Sequence, residues 1–181
     1  MTNASGRRIH FGVAASLDGY IAGPNGEADW IVHDPEIDFA AIWARFDTVL
    51  VGRKTFARMV KPGQKAPAMP GIRSVVFSRT LDSALYPGVT IVSDRVEEFV
   101  ADLKAAPGKD IWLFGGGELF TSFAAMGLVD TVSVAVEPVM LGGGLPLFPL
   151  SKIRLPLKLV KHRVYEKTGI VSLEYEVVYR P

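Results

Sequence analysis

Three short apolar runs in the chain end in residues suited to an anion. Val49, Leu50 and Val51 lead into Gly52, Arg53, Lys54 and Thr55; Val75, Val76 and Phe77 lead into Ser78, Arg79 and Thr80; Ile111 to Phe114 lead into Gly115, Gly116, Gly117, Glu118 and Leu119. Glycine lets backbone N–H groups approach a phosphate with no Cβ in the way, and a helix starting just beyond adds its positive end. Arginine adds charge-assisted, often bidentate, bonds. Taken singly, each segment reads more readily as an ordinary turn, because glycine and serine punctuate loops in general. Their joint placement after three strands is the signal, since ligands of open α/β sheets sit outside the carboxyl ends of the strands. Such a set suits a dinucleotide with a pyrophosphate and an extra phosphate. Neither G-x-G-x-x-G nor the G-x-x-x-x-G-K-S/T loop is present, so the site must be of another design.

Two carboxylates are candidates for proton chemistry. Glu36 lies three and seven residues before Phe39 and Trp43, which puts it on the apolar stripe of a predicted helix, where burial would raise its pKa to suit binding or protonating a nitrogen heterocycle. It would equally favour the positive end of that helix with no catalytic part. Asp18, in Ser16-Leu17-Asp18-Gly19, either borders a bound ligand or makes an Asx-type turn before the glycine. Asp29 and Trp30 precede the helix in a stretch that reads as a lid, with Trp30 alternatively in the core. His10, His33 and His162 lack the spacing and companions of a metal site, and no metal is assigned.

The elements that must carry these residues follow from periodicity. Ile9 to Ala15, Thr48 to Val51, Ser74 to Phe77, Val89 to Val92, Ile111 to Phe114 and Thr131 to Val136 read as strands. Helical patterns between them imply crossovers and a largely parallel sheet. Asp34-Pro35 reads as N-cap and first-turn proline of a helix through Phe39, Ile42, Trp43 and Phe46. Asp94 and Glu97 form a capping-box pattern ahead of Val96, Phe99, Val100 and Leu103, and a third helix through Leu119, Phe120 and Phe123 stops at Gly127. Leu157 to Tyr165 and Ile170 to Tyr179 flank Glu166 to Gly169 as a β-hairpin, and alternation in its second strand predicts one buried face. The Pro/Gly-rich stretches Pro62 to Gly71 and Leu141 to Pro149 are too short for linkers and read as surface loops, so residues 1–181 are expected to form one domain.

Composition narrows the partners. With 49% hydrophobic residues and a net charge of +1, the chain can bury a core but has no electrostatic footprint for nucleic acid or an anionic membrane. Small molecules are favoured. The absence of cysteine excludes disulfides, thiol nucleophiles and cysteine-ligated zinc. The N-terminal residues do not read as a signal peptide, and no run approaches the roughly 18 apolar residues a membrane helix needs, so a cytoplasmic protein is expected.

With these motifs in order, Ser16 to Ala22 (SLDGYIA), Val49 to Phe56 (VLVGRKTF), Val75 to Thr80 (VVFSRT), Leu113 to Phe120 (LFGGGELF) and Leu128 to Gly144 (LVDTVSVAVEP followed by LGGG) resemble the dihydrofolate-reductase-like superfamily over roughly residues 9–179. SLDGYIA and the LVD to LGGG run look most like the reductase domain of the riboflavin-pathway deaminase-reductase; GRKT, SRT and the triple glycine look more like dihydrofolate reductase. The resemblance implies an α/β fold with a mainly parallel twisted sheet, flanking helices and a C-terminal antiparallel hairpin. It implies an NADPH-dependent reductase acting on a pterin, aminopyrimidine or similar heterocycle, and a homodimer. By position, Gly52, Arg53, Lys54 and Thr55 match the residues under the cofactor phosphates, and Ser78, Arg79 and Thr80 match the 2′-phosphate pocket. Gly115, Gly116, Gly117, Glu118 and Leu119 match the turn beside pyrophosphate and nicotinamide, with a cis bond expected between Gly115 and Gly116. Ala14 and Ala15 match backbone that meets the carboxamide, and Glu36 falls where dihydrofolate reductases keep their acid. Two positions depart from the riboflavin-pathway pattern: Gly12 stands where those reductases usually have lysine, and Phe114 where they have glutamate. These departures motivate an alternative, a non-catalytic NADPH-binding protein of the same fold.

Overall fold

The computed structural model describes residues 6–60, 71–149 and 152–179, so most of the Pro62 to Gly71 stretch lies outside the described residues. In chain order the elements are β1 (Ile9–Ser16), β2 (Tyr20–Ala22), α1 (Phe39–Trp43), β3 (Phe46–Gly52), α2 (Arg53–Met59), β4 (Arg73–Phe77), β5 (Val89–Val92), α3 (Val96–Ala105), β6 (Asp110–Gly115), α4 (Gly117–Ala125), β7 (Thr131–Glu137), β8 (Leu145–Pro146), β9 (Leu157–Tyr165) and β10 (Ile170–Val177). The main sheet runs β5-β4-β3-β6-β1-β7-β10-β9. The first six of these strands pair in parallel, whereas β10 lies antiparallel to both β7 and β9. The fold is the mixed α/β one expected, with a mainly parallel sheet, flanking helices and a C-terminal antiparallel hairpin.

Alternation along each strand separates two faces. On β1, β3 and β6, Phe11, Leu50 and Leu113 are fully buried and join Val100 and Leu103 of α3 and Phe120 and Phe123 of α4 in one core. Val49 and Val51 point the other way, onto Phe56 of α2, Val76 and Tyr86. Among the described residues, no helix is long and apolar enough to cross a membrane.

Three local readings are corrected. The helix expected from Asp34 begins only at Phe39; its N-cap is Asp38, whose carboxylate accepts the Ala41 N–H at 2.9 Å. Asp34 is instead fully buried, accepting the Glu36 N–H and the Thr168 hydroxyl from the hairpin turn, and the Thr168 bond is the main cause that holds its carboxyl below the usual range. The helix ends early because Phe46, which had completed its stripe, enters β3. Asp94 is not the cap of α3; that position is Arg95, at φ +43° with no side-chain cap bond. The hairpin's buried face is also only half realised: β10 is half-buried along most of its length and β9 is exposed up to Tyr165. The helices that cover the core do not extend over the last two strands.

Candidate functional site

Because β4, β3, β6, β1 and β7 are neighbours and parallel, their carboxyl ends line up along one rim. Gly52 registers with Phe77 on one side, and Val51 with Gly115 on the other. The three anion-suited segments are therefore adjacent in space, in the order Ser78-Arg79-Thr80, Gly52 to Thr55, Gly115 to Leu119. A side chain at Gly52 would meet Leu119 Cβ at 3.5 Å and the Gly115 carbonyl at 3.7 Å; one at Gly116 would meet Thr55 Oγ1 at 3.4 Å. The Gly115–Gly116 bond is cis, and a side chain at Gly115 (φ +122°) would point into open space. The turn is thus a cradle of backbone with an unfilled side, opening the N-terminus of α4.

The charged members divide. Lys54 pairs with Glu118 at 2.7 Å, both largely exposed, which ties the start of α2 to that of α4 and worth little in energy. Arg53 and Arg79 are exposed and form no ion pair with any described residue. Ser78 is buried, and its Oγ accepts the N–H groups of Thr80 and Leu81 at 3.2 and 3.0 Å, shaping the loop that presents Arg79. Ala15 is packed in the core, while Ala14 is half-buried on the opposite face.

Neither carboxylate proposed for proton transfer is in a suitable setting. Glu36 lies outside α1, is exposed, and pairs with Arg163 at 2.8 Å and Lys167 at 3.6 Å, so the burial expected of it is missing. Asp18 accepts the Ser16 hydroxyl at 2.6 Å and the N–H groups of Leu141 and Gly142 at 3.0 and 2.7 Å; the Ser16 bond first, and the amides after it, hold it below its ordinary value. It is a tie between two loops, held as the anion. Trp30 is half-buried, its indole N–H donating to the Glu27 carbonyl, rather than a core residue.

Beside the cradle lies a shallow trough on the sheet face that α1 only partly covers. Gly12 and Ala14 of β1 register with Ser133 and Ala135 of β7, and all four are half-exposed although they sit on central strands. One wall is aromatic. Trp112 lies over Gly12 with its indole N–H donating to the Gly12 carbonyl at 3.1 Å, packs against Trp43 at a tilt with ring centroids 4.0 Å apart, and neighbours Phe114. A Cβ at Gly12 would meet Trp112 Nε1 at 3.1 Å, which accounts for the glycine.

At the end of the trough is a residue the sequence reading overlooked. Glu137, the last residue of β7, registers with Ser16 and is 2% exposed. Its Oε2 accepts the Val32 N–H at 3.2 Å, and burial pushes its carboxyl above the ordinary value against that bond. The available signal was a lone carboxylate on the small-residue side of an alternating strand, after Thr131, Ser133 and Ala135.

Comparison with known proteins bears on the family and the fold. The family model for the RibD C-terminal domain matches residues 7–171. An uncharacterized protein of Bacillus subtilis, YyaP, is 38% identical over 96% of each chain. Among solved structures, a Thermotoga maritima diaminohydroxyphosphoribosylaminopyrimidine deaminase/5-amino-6-(5-phosphoribosylamino)uracil reductase superposes with TM-score 0.70 at 21% identity, covering 96% of this chain and 57% of its own. A dihydrofolate reductase of Enterococcus faecalis, complexed with NADP(H), gives TM-score 0.66 at 20% identity and 94% coverage of both chains. At these identities the two structures establish the likeness of fold.

Proposed function

The chain belongs to the RibD C-terminal domain family, a reductase-type family, and from that premise we propose that it is an NADPH-dependent reductase delivering hydride to a pterin, aminopyrimidine or similar small heterocycle. The observation that carries this reading is the rim itself: two arginines that pair with no described residue and a backbone cradle on adjacent strand ends, leading directly to an open trough with an aromatic wall. The residues fit the cofactor, because the open side of Gly115 and the N-terminus of α4 suit a pyrophosphate, and Arg79 beyond β4 suits a 2′-phosphate. When bound, NADPH supplies the hydride; the protein binds it, orients the acceptor against it and excludes water. Trp112 and Phe114 would stack a planar ring over Ala14 and Ala135. The trough's neutral wall at Gly12 and Phe114 speaks against the ribosylaminopyrimidine phosphate of the riboflavin pathway as the substrate. The reading includes a cytoplasmic homodimer.

The test is titration with NADPH and NADH, read through the fluorescence of Trp30, Trp43 and Trp112, in wild type and Arg79→Ala. A preference for NADPH that collapses in the variant is expected, with NADH affinity little changed. Failure of the wild type to bind NADPH sinks the reductase reading and its non-catalytic NADPH-binding alternative together. NADPH binding without consumption by any pterin or aminopyrimidine selects that alternative.

A further inference from the structure

Removing Glu36 and Asp18 as proton sources leaves the reductase reading without an acid, and a hydride accepted at carbon must be matched by a proton at the neighbouring nitrogen or oxygen. Of the described carboxyls around the rim, Glu137 alone combines burial with the absence of a described cation beside it. Its side chain shares the sheet face of Ser133 and Ala135, so it lies at the trough's end, one strand over and two residues beyond Ala14, or roughly 7 Å along the strand direction. Ala14 is one of the positions that the family resemblance matches to backbone beside the nicotinamide carboxamide.

The groups around Glu137 favour its neutral form over its anion. Ser16 beside it gives its hydroxyl proton to Asp18, so it does not donate to Glu137. Asp18 is occupied by Ser16, Leu141 and Gly142. In the segment above, Val32 supplies only a backbone N–H; of the titratable groups flanking it, His33 packs edge-on to Phe39, and Asp34 is bound to Thr168 and Glu36. No described cation pairs with the Glu137 carboxyl. A buried carboxyl in that setting holds its proton to higher pH than a free one. The Val32 amide anchors Oε2, which leaves the other oxygen to carry the proton.

Resting on the reductase reading, we propose that Glu137 is the acid of this site, giving its proton to the acceptor atom of the substrate as the adjacent carbon receives hydride. The balance is simple. With NADPH bound, the cofactor would supply hydride to the acceptor carbon, the Glu137 O–H bond would break to give the neighbouring atom its proton, and the Glu137 carboxylate would take a proton back from solvent.

The test begins without any substrate. In protein labelled with carboxyl-13C glutamate, the signal missing from Glu137→Gln is that of Glu137. Its midpoint is expected above the ordinary 4.5, and the signal should shift when NADPH saturates the protein. An ordinary midpoint, or a signal indifferent to bound NADPH, overturns the assignment while the reductase reading stands. With the acceptor found by screening, kcat of the wild type should fall as pH rises through that midpoint. Glu137→Gln, whose amide carbonyl still accepts the Val32 N–H, should keep its fold by circular dichroism and its NADPH affinity, lose about 10²–10⁴-fold in kcat, and lose that pH limb. An unchanged pH limb in a folded, NADPH-binding Glu137→Gln makes Glu137 a clamp for the Val32 segment and overturns the proposal. Absence of NADPH binding in the wild type overturns both.

Discussion

Asp18, Glu36 and Glu137 are three carboxylates around one rim, and their surroundings give them three different jobs. Asp18 is saturated by donors, Glu36 sits among cations in water, and Glu137 is buried with a single amide. For Asp18 this has a measurable consequence. Asparagine would place an NH2 group against the Leu141 or Gly142 N–H, leaving donors facing each other. Asp18→Asn should therefore lower the urea midpoint at pH 7. Because the Asp18 pKa is depressed on folding, its contribution is present above the ordinary 3.8 and lost as pH falls through the lower folded value. The gap between wild type and variant should hold at neutral pH and close on acidification below about 3.8, which equilibrium unfolding across that range will show. A gap independent of pH would mean that the ionised carboxylate is not what ties the loops.

At the scale of elements, the site depends on how closely the start of α4 meets the segment after β8. A Cβ at Gly117 would lie 2.6 Å from the Pro146 carbonyl oxygen and 2.8 Å from Pro149 Cδ, with Leu147 carbonyl oxygen at 3.0 Å. Backbone cannot yield as a flexible side chain does. Gly117→Ala should cost about 1–3 kcal/mol, the usual penalty of overpacking, and weaken NADPH binding by moving the cradle. Thermal unfolding together with the NADPH titration checks this; a fully stable variant would show that the segment shifts freely. The same scale explains the misread helix. Phe39, Ile42, Trp43 and Phe46 satisfy a helical period behind an apparent Asp34 cap, but burial of Phe46 against His10 and Trp112 in the sheet, and of Asp34 under the hairpin turn, outweighs local propensity over so short a segment.

For the whole molecule, the unfinished feature is the edge formed by β9 and β10. Leu157, Leu159 and Val164 of β9 register with Val177, Tyr175 and Val171 of β10, on the face that carries α3 and α4 further in, yet the three β9 residues are 42%, 48% and 56% exposed. An apolar face continuing past its covering helices, beside an open strand edge, suits a second copy of the chain. In the homodimer reading, the wild type sediments as a dimer, and Leu159→Glu combined with Val164→Glu sediments as a folded monomer. A monomeric wild type at micromolar concentration would refute it.

Strand positions, the hairpin and the three anion-suited turns were legible in the chain because they depend on local chemistry: alternation marks strands, and glycine marks places where a Cβ is unwelcome. From those, the sheet class and the rim of the candidate site follow. The roles of the carboxylates were not legible, since a pKa depends on what lies across space. Glu36 and Glu137 are one residue type, and only packing distant parts of the chain together puts the first beside Arg163 and Lys167 and buries the second against the Val32 amide. Gly12 shows the same division. Its lack of a side chain is written in the sequence, whereas the reason, an indole from a strand one hundred residues away, belongs to the tertiary structure because only the pairing of β1 with β6 brings Trp112 over it.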